Sequence, residues 1–393
     1  MIVLSVLAAL VAAVLLLPTL SDLISLLRIA FIPRPARART THQQPRLLFL
    51  VPAHNEALLI TSCIRSLHDM QYARDRFTVA VVADNCTDRT AELARAAGAR
   101  CLERADLSHP GKPHAIAWAL EQLPIGDYAA VVIIDADCLV NREFAASLAR
   151  VDGLNTKVLQ CYNDVRNRDN ALTRMAAVLS AVNHGIAYRL KSRVRINVPL
   201  SAGMALGTET LRTHGWKAFS IGEDWELYAL LTEQGVPIRS VPGARLYAEE
   251  ARSFVQGAVQ RRRWAAGKAT VLYRYGRKLL VSRKIGVAQK LDVLAELLSN
   301  GPAVHAGIVA LITVVTLALA LPGAHVLATL LLGSLARPAI YTVAAIAQDP
   351  QPVRAMLAFG SFPVYVVWRL GVQTTALKLL GDTPWIRTTR NSA

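Results

Sequence analysis

The sequence predicts an α/β domain with a mostly parallel sheet, flanked by transmembrane helices. Three observations support this prediction. Apolar, strand-like runs alternate with helical segments from Arg46 onward, and the runs that begin at Leu47, Phe77 and Val131 each end in polar or acidic residues. Long uncharged stretches lie towards both ends of the chain. Strands that alternate with helices favour parallel pairing, and such sheets bind ligands at the carboxyl ends of their strands.

The N-terminal stretch is predicted to be an uncleaved transmembrane helix. Of the 393 residues, 53% are hydrophobic and only 18% are charged, which is very apolar for a purely soluble protein. Residues 1–21 carry no charge, and the first basic residue is Arg28. A secretory signal would have its positive charge before the apolar core instead. The arginines that follow the helix place the next residues in the cytoplasm.

The C-terminal part predicts further membrane segments. Residues 297–336 are uncharged and long enough for two spans, with a turn at residues 321–323. Residues 356–380 contain Arg369 and Lys378, and they are either a span or a helix in the membrane interface. The predicted organisation is a membrane helix at 1–28, the α/β domain at 41–270, a basic interfacial segment at 271–296 and membrane or interfacial helices at 297–385.

Arg337 is predicted to be unusual, because no charged residue lies between it and Glu296. A guanidinium at the centre of a membrane helix costs about 2.5–3.5 kcal/mol unless it faces water or a partner. Arg337 therefore either faces the protein interior, beside a growing glycan or an acceptor lipid phosphate, or lies at the membrane interface, on an interfacial helix or near the end of a span.

The net charge of +16 does not indicate nucleic-acid binding. The basic residues cluster beside the predicted membrane segments, where anionic lipid explains them better, and no nucleic-acid-binding motif is present. The five cysteines have no Cys-x-x-Cys spacing and are predicted to be free thiols.

The central domain is predicted element by element from its apolar runs. Helices are expected between the strands, one from about Ala57 to Asp69, one ending at Gly98 and one opening at Pro113. The predicted strands are 47–51, 77–83, 99–102 and 131–134. Neither G-x-G-x-x-G nor G-x-x-x-x-G-K-[ST] occurs, so a Rossmann dehydrogenase and a P-loop NTPase are both disfavoured.

The strand at 131–134 is the centre of the predicted site. It ends in Asp135-Ala136-Asp137, and alternation along an extended chain would point both carboxylates to the same side. Such a pair suits a divalent metal that substrate phosphates complete. Polar residues also follow the neighbouring strands, His54 to Glu56 after one and Asp84 after the other.

Three downstream segments each allow a functional and a structural interpretation. Residues 201–207 are small, so their backbone could approach a ligand or simply form a tight turn. The acids Glu223 and Asp224 could be catalytic, although acids at a helix start are favoured by the helix dipole alone. Residues 260–264, Gln-Arg-Arg-Arg-Trp, could bind a diphosphate and a sugar, or could form a basic helix facing the membrane.

Taken together, these segments resemble the membrane-embedded family 2 glycosyltransferases, such as the cellulose, hyaluronan, chitin-oligosaccharide and poly-N-acetylglucosamine synthases, and among them the bacterial exopolysaccharide type. The matching motifs, in order, are VPAHNE at 51–56, ADNCTD at 83–88, GK at 111–112, DAD at 135–137, GED at 222–224 and QRRRW at 260–264. Two departures are a proline after the lysine of the GK motif and a short membrane part, which puts a polymer-conducting channel in doubt.

The resemblance implies a GT-A domain that uses a nucleotide sugar, typically UDP-linked, with Mg²⁺ or Mn²⁺. It implies that Asp137 ligates the metal, that Asp224 is the general base and that Trp264 flanks the acceptor. The implied donor-binding residues are Pro52, Glu56, Asp84, Lys112, Asp135, Gln260 and Arg263.

The implied activity is an inverting transfer to a glycan or lipid-linked acceptor, in exopolysaccharide or cell-surface polysaccharide synthesis. The implied location is the bacterial inner membrane, with several spans and a cytoplasmic catalytic domain. Single transfer to a membrane lipid, as in ceramide-glucosyltransferase-like enzymes, is the alternative. A nucleotide sensor is disfavoured because it would not need a base, and a transporter is disfavoured by the few predicted spans.

Overall fold

The computed structural model describes residues 1–33 and 44–376. These residues form two compact units. The helical unit comprises residues 1–33, 168–196 and 251–376, and the sheet unit comprises residues 44–167 and 197–250. The part of the predicted C-terminal membrane segment beyond residue 376 lies outside the described residues.

The regular elements follow the predicted alternation of strands and helices. In the first part of the chain they are α1 (Ile2–Phe31), β1 (Leu47–Ala53), α2 (Ile60–His68), β2 (Phe77–Asp84), α3 (Thr90–Ala96), β3 (Arg100–Arg104), α4 (Lys112–Gln122), β4 (Ala130–Ile133), β5 (Leu139–Val140) and α5 (Phe144–Ala149). From β6 onward they are β6 (Val158–Val165), α6 (Ala171–Ser180), a π-helix (Ala181–Ala187), α7 (Tyr188–Arg193), β7 (Met204–Gly207), α8 (Thr208–His214), α9 (Glu223–Glu233), β8 (Ile238–Ala248), α10 (Phe254–Val281), α11 (Val287–Leu298), α12 (Pro302–Ala318), α13 (Ala324–Ser334), α14 (Ala336–Ala347), α15 (Pro352–Ala358) and α16 (Phe362–Ala376).

The sheet unit is built on one eight-stranded sheet, in the order β3-β2-β1-β4-β7-β6-β8-β5. The strands β3, β2, β1 and β4 pair in parallel, as predicted. Beyond β4 the sheet is mixed, because β7 pairs antiparallel with both β4 and β6. The prediction of a mostly parallel sheet therefore holds only for the half that contains the predicted site. An antiparallel strand such as β7 needs no crossover helix, which the strand–helix alternation could not reveal.

The core of the sheet unit lies around β1, whose seven residues are all buried. Phe49 on β1 packs edge-on against Phe77, with ring centroids 5.8 Å apart, and lies 6.2 Å from the ring of Phe144. Because β1 lies between β2 and β4, its sequence is a continuous apolar run. Because β1, β2 and β4 are parallel neighbours, their carboxyl ends lie at the same edge of the sheet.

Local sequence signals predicted the ends of most helices and strands in the sheet unit to within a few residues of their observed positions. Gly98 ends the α3 segment with φ +87°, the left-handed conformation that favours glycine. The helix predicted from Ala57 begins only at Ile60, because the backbone after Glu56 first forms a turn in which the Leu59 N–H donates to the Glu56 carbonyl.

The helical unit contains three helical segments that are long and apolar enough to cross a membrane, counted over the described residues and judged by length and composition. They are Ile2–Phe31, Ala324–Ala347 and Pro352–Ala376. A fourth is possible if α11 and α12, which meet at an angle of 81°, form one broken span. The predicted turn at residues 321–323 does separate α12 from α13. The apolar stretch at 356–380 is helical up to residue 376, where the description ends.

Arg337 faces the interior of the helical unit, in agreement with one of the two sequence interpretations. Its guanidinium pairs with the carboxylate of Asp22 on α1, and it lies 5.1 Å from the ring centroid of Tyr341. Asp22 is only 5% exposed. The sequence analysis missed this partner, which lies at the far end of the chain.

A second buried ion cluster ties α7 to α11 within the helical unit. The Lys191 ammonium lies 2.9 Å from an Asp292 carboxylate oxygen and 2.6 Å from Glu296. Ser21 also donates a hydrogen bond to Asp292, at 2.8 Å. Buried charges persist where they are paired in this way, and this cluster thereby links α1 to the polar face of α11.

Candidate active site

The Asp135–Asp137 motif directly follows β4, at the edge of the sheet where β1 and β2 also end. The chain turns here instead of remaining extended, since the Cys138 N–H donates to the Asp135 carbonyl at 3.0 Å. The predicted alternation nevertheless survives, because Asp135 and Asp137 are half-buried whereas Ala136 and Cys138 are buried. Both side chains thus remain partly accessible at the strand end, although one Asp135 oxygen is buried.

Lys112 connects this strand end to the start of α9. The backbone of Gly111 adopts φ +103°, and α4 begins at the next residue. The Lys112 ammonium lies 2.8 Å from a carboxylate oxygen of Asp135 and 2.9 Å from one of Glu223. Burial alone would lower the pKa of Lys112, but the carboxylates of Asp135 and Glu223 raise it well above its ordinary value. Lys112 is therefore a fixed positive charge at this site.

Asp224 lies directly after Glu223 in the first turn of α9. Burial and the Glu223 carboxylate raise the pKa of Asp224 well above its ordinary range. The pKa of Glu223, despite burial, is lowered by Lys112. The pair thus has one carboxylate held in its charged form and one with a raised proton affinity, so Asp224 is the stronger proton acceptor of the two.

The loop before α9 is held by a third acid of the same helix. Glu226 accepts hydrogen bonds from the backbone N–H groups of Phe219 and Ser220, at 2.8 and 2.7 Å. Glu226 is only 4% exposed and therefore has a structural role. It fixes the start of α9, and with it the position of Asp224.

Asp84 is buried at the end of β2 and is engaged by its own chain. One carboxylate oxygen lies 2.6 Å from the Arg104 guanidinium, and the other accepts the Gly111 N–H at 3.2 Å. Asp84 and Arg104 are register partners on β2 and β3, but Arg104 was missed because register is not visible in a single strand. These contacts give Asp84 a structural role beside the loop that ends at Gly111. Its predicted contact with the donor stays a prediction.

The loops after β1 and β2 bind to each other. Asn55, with φ +55°, accepts the Thr87 N–H at 2.7 Å. The backbone N–H of Glu56 donates to the Thr90 hydroxyl at 2.8 Å. Pro52 is buried in β1, and Glu56 is half-buried. Much of the polar character at these strand ends therefore holds the loops together, and the donor contacts predicted for Pro52 and Glu56 stay predictions.

The carboxylate oxygens of the DAD motif suit a divalent cation that a diphosphate would also ligate. Burial raises the pKa of the thiols of Cys63 and Cys138, and the nearby carboxylates of Asp137 and Asp135 raise it further. Among the described residues, no three His, Cys, Asp or Glu side chains are grouped as a metal site. Mg²⁺ commonly binds through one or two carboxylates and completes its shell with phosphate oxygens.

The five cysteines are all free thiols, as predicted. The small-residue segment 201–207 packs against its own chain. A Cβ atom at Gly203 would lie 2.1 Å from the Leu246 side chain, and one at Gly207 would lie 2.3 Å from the Asn155 carbonyl oxygen. This favours the structural interpretation of the segment, in which the small residues permit close packing within the sheet unit.

The QRRRW residues lie on α10, in the helical unit. Gln260, Arg263 and Trp264 are spaced i, i+3 and i+4, so they share one face of the helix. Trp264 is 46% exposed. Arg261 is instead buried, with its guanidinium 5.4 Å from the Trp368 ring centroid. The helical spacing of Gln260, Arg263 and Trp264 is visible in the sequence, but it was not used to predict that they share a face.

A comparison with known protein families identifies the family of this chain. The family model described as "Glycosyltransferase like family 2" matches residues 45–267, which is more than half of the chain. The chain belongs to glycosyltransferase family 2. The matched region of the family 2 domain includes every predicted site residue, from Pro52 to Trp264.

Individual relatives of this family 2 chain are distant. The probable glycosyltransferase YdaM of Bacillus subtilis (strain 168) is 24% identical over 245 residues, which cover 59% of this chain and 57% of that protein. A probable glycosyltransferase of Sulfolobus acidocaldarius is 23% identical over 272 residues, which cover 66% and 57%. The chain therefore spans little more than half the length of these two relatives.

A solved structure shares the fold over nearly the whole chain. The mannosyltransferase PcManGT from Pyrobaculum calidifontis, determined in complex with GDP-Man and Mn²⁺, superposes with a TM-score of 0.59 at 21% identity, covering 95% of this chain and 98% of that one. Family 2 membership and the GT-A fold are thus confirmed. The exopolysaccharide-synthase subtype and the roles of individual residues stay predictions.

Proposed function

We propose that this protein is an inverting membrane glycosyltransferase that moves a sugar from a nucleotide-sugar donor to a glycan or lipid-linked acceptor. The observation that carries the proposal is the group formed by Lys112, Asp135, Glu223 and Asp224 at the strand ends of a family 2 domain. It combines a fixed cation, a half-buried carboxylate motif and an acid with raised proton affinity, which are the functions that glycosyl transfer requires.

Each residue has a stated task in this proposal. Asp224 accepts the proton of the acceptor hydroxyl as that hydroxyl attacks the anomeric carbon. Lys112 provides positive charge beside the donor diphosphate, and Asp135 and Asp137 orient the donor. A divalent cation held by Asp137, when bound, would neutralise charge on the departing nucleoside diphosphate. One base and a direct displacement would give inversion at the anomeric carbon.

The remaining donor contacts are proposed from the family motifs. Pro52, Glu56 and Asp84 would border the nucleoside, and Gln260 and Arg263 would bind the diphosphate. Trp264 would flank the acceptor, because an exposed indole suits a sugar ring. The donor class is proposed as UDP-linked, and GDP-linked sugars belong in the same screen because PcManGT was determined with GDP-Man.

The membrane location is proposed from the helical unit. Only six of the thirty residues of α1 are buried, and large apolar side chains such as Leu7, Leu10 and Leu27 are more than half exposed. Apolar surface of this extent suits lipid. The proposed arrangement is a multi-pass protein of a bacterial inner membrane, with membrane segments at 1–28 and 297–385, a basic interfacial segment at 271–296 and a cytoplasmic domain at 41–270.

The proposed biological role is synthesis of an exopolysaccharide or another cell-surface polysaccharide. Single transfer to a membrane lipid is the second candidate, which the short membrane part favours. The two are distinguished by the product, since a polymerase elongates its acceptor repeatedly and a lipid transferase adds one sugar.

A donor screen tests the proposed activity. The full chain in lipid nanodiscs would be incubated with UDP-, GDP- and dTDP-sugars, Mn²⁺ or Mg²⁺, and a bacterial lipid extract. Released nucleoside diphosphate and the mass of the products would be measured. The proposal expects release from one donor class and a glycosylated product. No release from any donor, with the protein folded and inserted, would overturn it.

Labelling of a single cysteine tests the proposed orientation. Leu107 is 85% exposed in the sheet unit and is therefore a suitable labelling site. In a variant without native cysteines, Leu107→Cys should resist an impermeant thiol reagent in intact cells and react after lysis. Rapid labelling in intact cells would contradict a cytoplasmic domain.

A further inference from the structure

Lys112 is shared between two carboxylates that belong to different parts of the proposed mechanism. Its ammonium is 2.8 Å from Asp135, in the motif proposed to meet the donor, and 2.9 Å from Glu223, which directly precedes the proposed base. The Glu223 side chain is 11% exposed, compared with 34% for Asp135. Glu223 is therefore the more buried of the two partners, although the Asp135 oxygen that contacts Lys112 is also buried.

The chemistry of an ammonium allows these two contacts to be used separately. A lysine has three N–H donors, so it can keep one carboxylate while another oxygen replaces the second. A donor diphosphate is such a ligand, since its oxygens accept the same hydrogen bonds. Asp135 would then be released towards the metal and nucleotide, while Glu223 would keep Lys112 in place.

Glu223 also directly precedes the proposed base in the first turn of α9, and its negative charge contributes to the raised pKa of Asp224. The loop that precedes this turn is fixed by Glu226. Lys112 and Glu223 thus connect the strand-end motif to the helix turn that carries the proposed base.

We propose that Glu223 is a positioning residue that holds Lys112 at the donor diphosphate. The proposal rests on the proposed function, since it assigns Lys112 to the donor. This role differs from that of a purely structural contact between α4 and α9. Such a contact would stabilise the fold but would not affect ligand binding through Lys112.

The test is a double-mutant cycle on the full chain in nanodiscs. The variants are Glu223→Gln, Glu223→Asp, Lys112→Met and the double variant Glu223→Gln/Lys112→Met. Glu233→Gln makes the same change of charge at the far end of α9 and is the matched control. Calorimetry would measure the affinity for UDP and for GDP with Mn²⁺ present, and melting temperatures would monitor folding.

The proposal expects Glu223→Gln to weaken nucleoside-diphosphate binding about tenfold, as for loss of a charge-assisted hydrogen bond. Glu223→Asp should recover part of this loss, because it keeps the charge but has a shorter side chain. In the Lys112→Met background, Glu223→Gln should have little further effect on affinity, because its effect passes through Lys112. Glu233→Gln should bind as the parent does.

Two outcomes would overturn the inference while leaving the proposed function intact. One is parental affinity in a folded Glu223→Gln variant. The other is a Glu223→Gln effect of the same size with and without Lys112. If the parent protein itself bound neither UDP nor GDP with Mn²⁺, the proposed function would fail instead. A Glu223→Gln variant that does not fold would leave Glu223→Asp as the test, with partial loss of affinity expected and parental affinity contradicting the inference.

Discussion

The ammonium of Lys112 lies 2.9 Å from the carboxylate of Glu223, and this contact joins the first residues of helices α4 and α9. One helix follows the loop that contacts Asp84, and the other carries Asp224. The contact therefore connects the strand ends of the parallel half-sheet to the proposed base.

Asp137→Ala should abolish sugar transfer while the protein remains folded. The variant removes the carboxylate proposed to hold the metal, and EDTA should have the same effect on the parent. Mn²⁺ binding, followed by electron paramagnetic resonance in the presence of nucleoside diphosphate, should be lost in parallel. Asp127→Ala, a change at an exposed acid of the same unit, is the control. Full turnover by Asp137→Ala, or by the parent in EDTA, would disprove the metal assignment.

The rate should depend on pH through Asp224. Because its pKa is raised by burial and by Glu223, the base becomes protonated at a higher pH than an ordinary aspartate would. kcat/KM should therefore fall as the pH falls through this raised pKa, and it should reach its plateau only above it. Initial rates measured from acidic to mildly alkaline pH, with folding monitored at each point, would check this. A flat acidic limb down to the ordinary aspartate range would contradict it.

Arg104→Met should destabilise the sheet unit, because it leaves the buried Asp84 carboxylate without its cation. Removing one partner of a buried ion pair costs about 3–5 kcal/mol, and these two side chains are 6% and 4% exposed. Chemical denaturation would measure the loss. Asp84→Asn/Arg104→Met should recover part of the stability, since neither charge then remains. If Arg104→Met were as stable as the parent, Asp84 would not depend on this pair.

Arg337→Leu should also lower stability, because it leaves Asp22 with no guanidinium partner in the helical unit. The double variant Asp22→Asn/Arg337→Leu should melt at a higher temperature than Arg337→Leu alone. Melting temperatures in detergent, with membrane insertion checked separately, would test this. If both variants melted like the parent but made shorter or fewer products, Arg337 would act on the acceptor or product instead.

The sequence predicted the parts of the site that depend on local patterns. The strand before Asp135 is visible because its residues are apolar and buried, and Gly98 and Pro113 mark helix ends through their own backbone preferences. Asp224 was identified through its motif. Each of these signals lies within a few residues of the feature that it predicts.

The contacts between segments could not be predicted in the same way. Arg104 contacts Asp84 because β3 pairs with β2 in a particular register, and Asp22 contacts Arg337 because α1 packs in the same unit as α14. Register and helix packing depend on the whole chain, and a local pattern does not specify them. For the same reason, Glu223 could be read as a simple helix-start acid until its distance to Lys112 was known.

The assignment of Asp224 as the general base is tested most directly by comparing donor binding with sugar transfer in Asp224→Asn. The variant keeps the shape of the side chain but removes proton acceptance. Calorimetry with the donor found in the screen and Mn²⁺ should give the parental affinity, while the rate of transfer should fall about 10²–10⁴-fold. Transfer at the parental rate, or a loss of donor affinity with an unchanged maximal rate, would contradict the proposed role of Asp224.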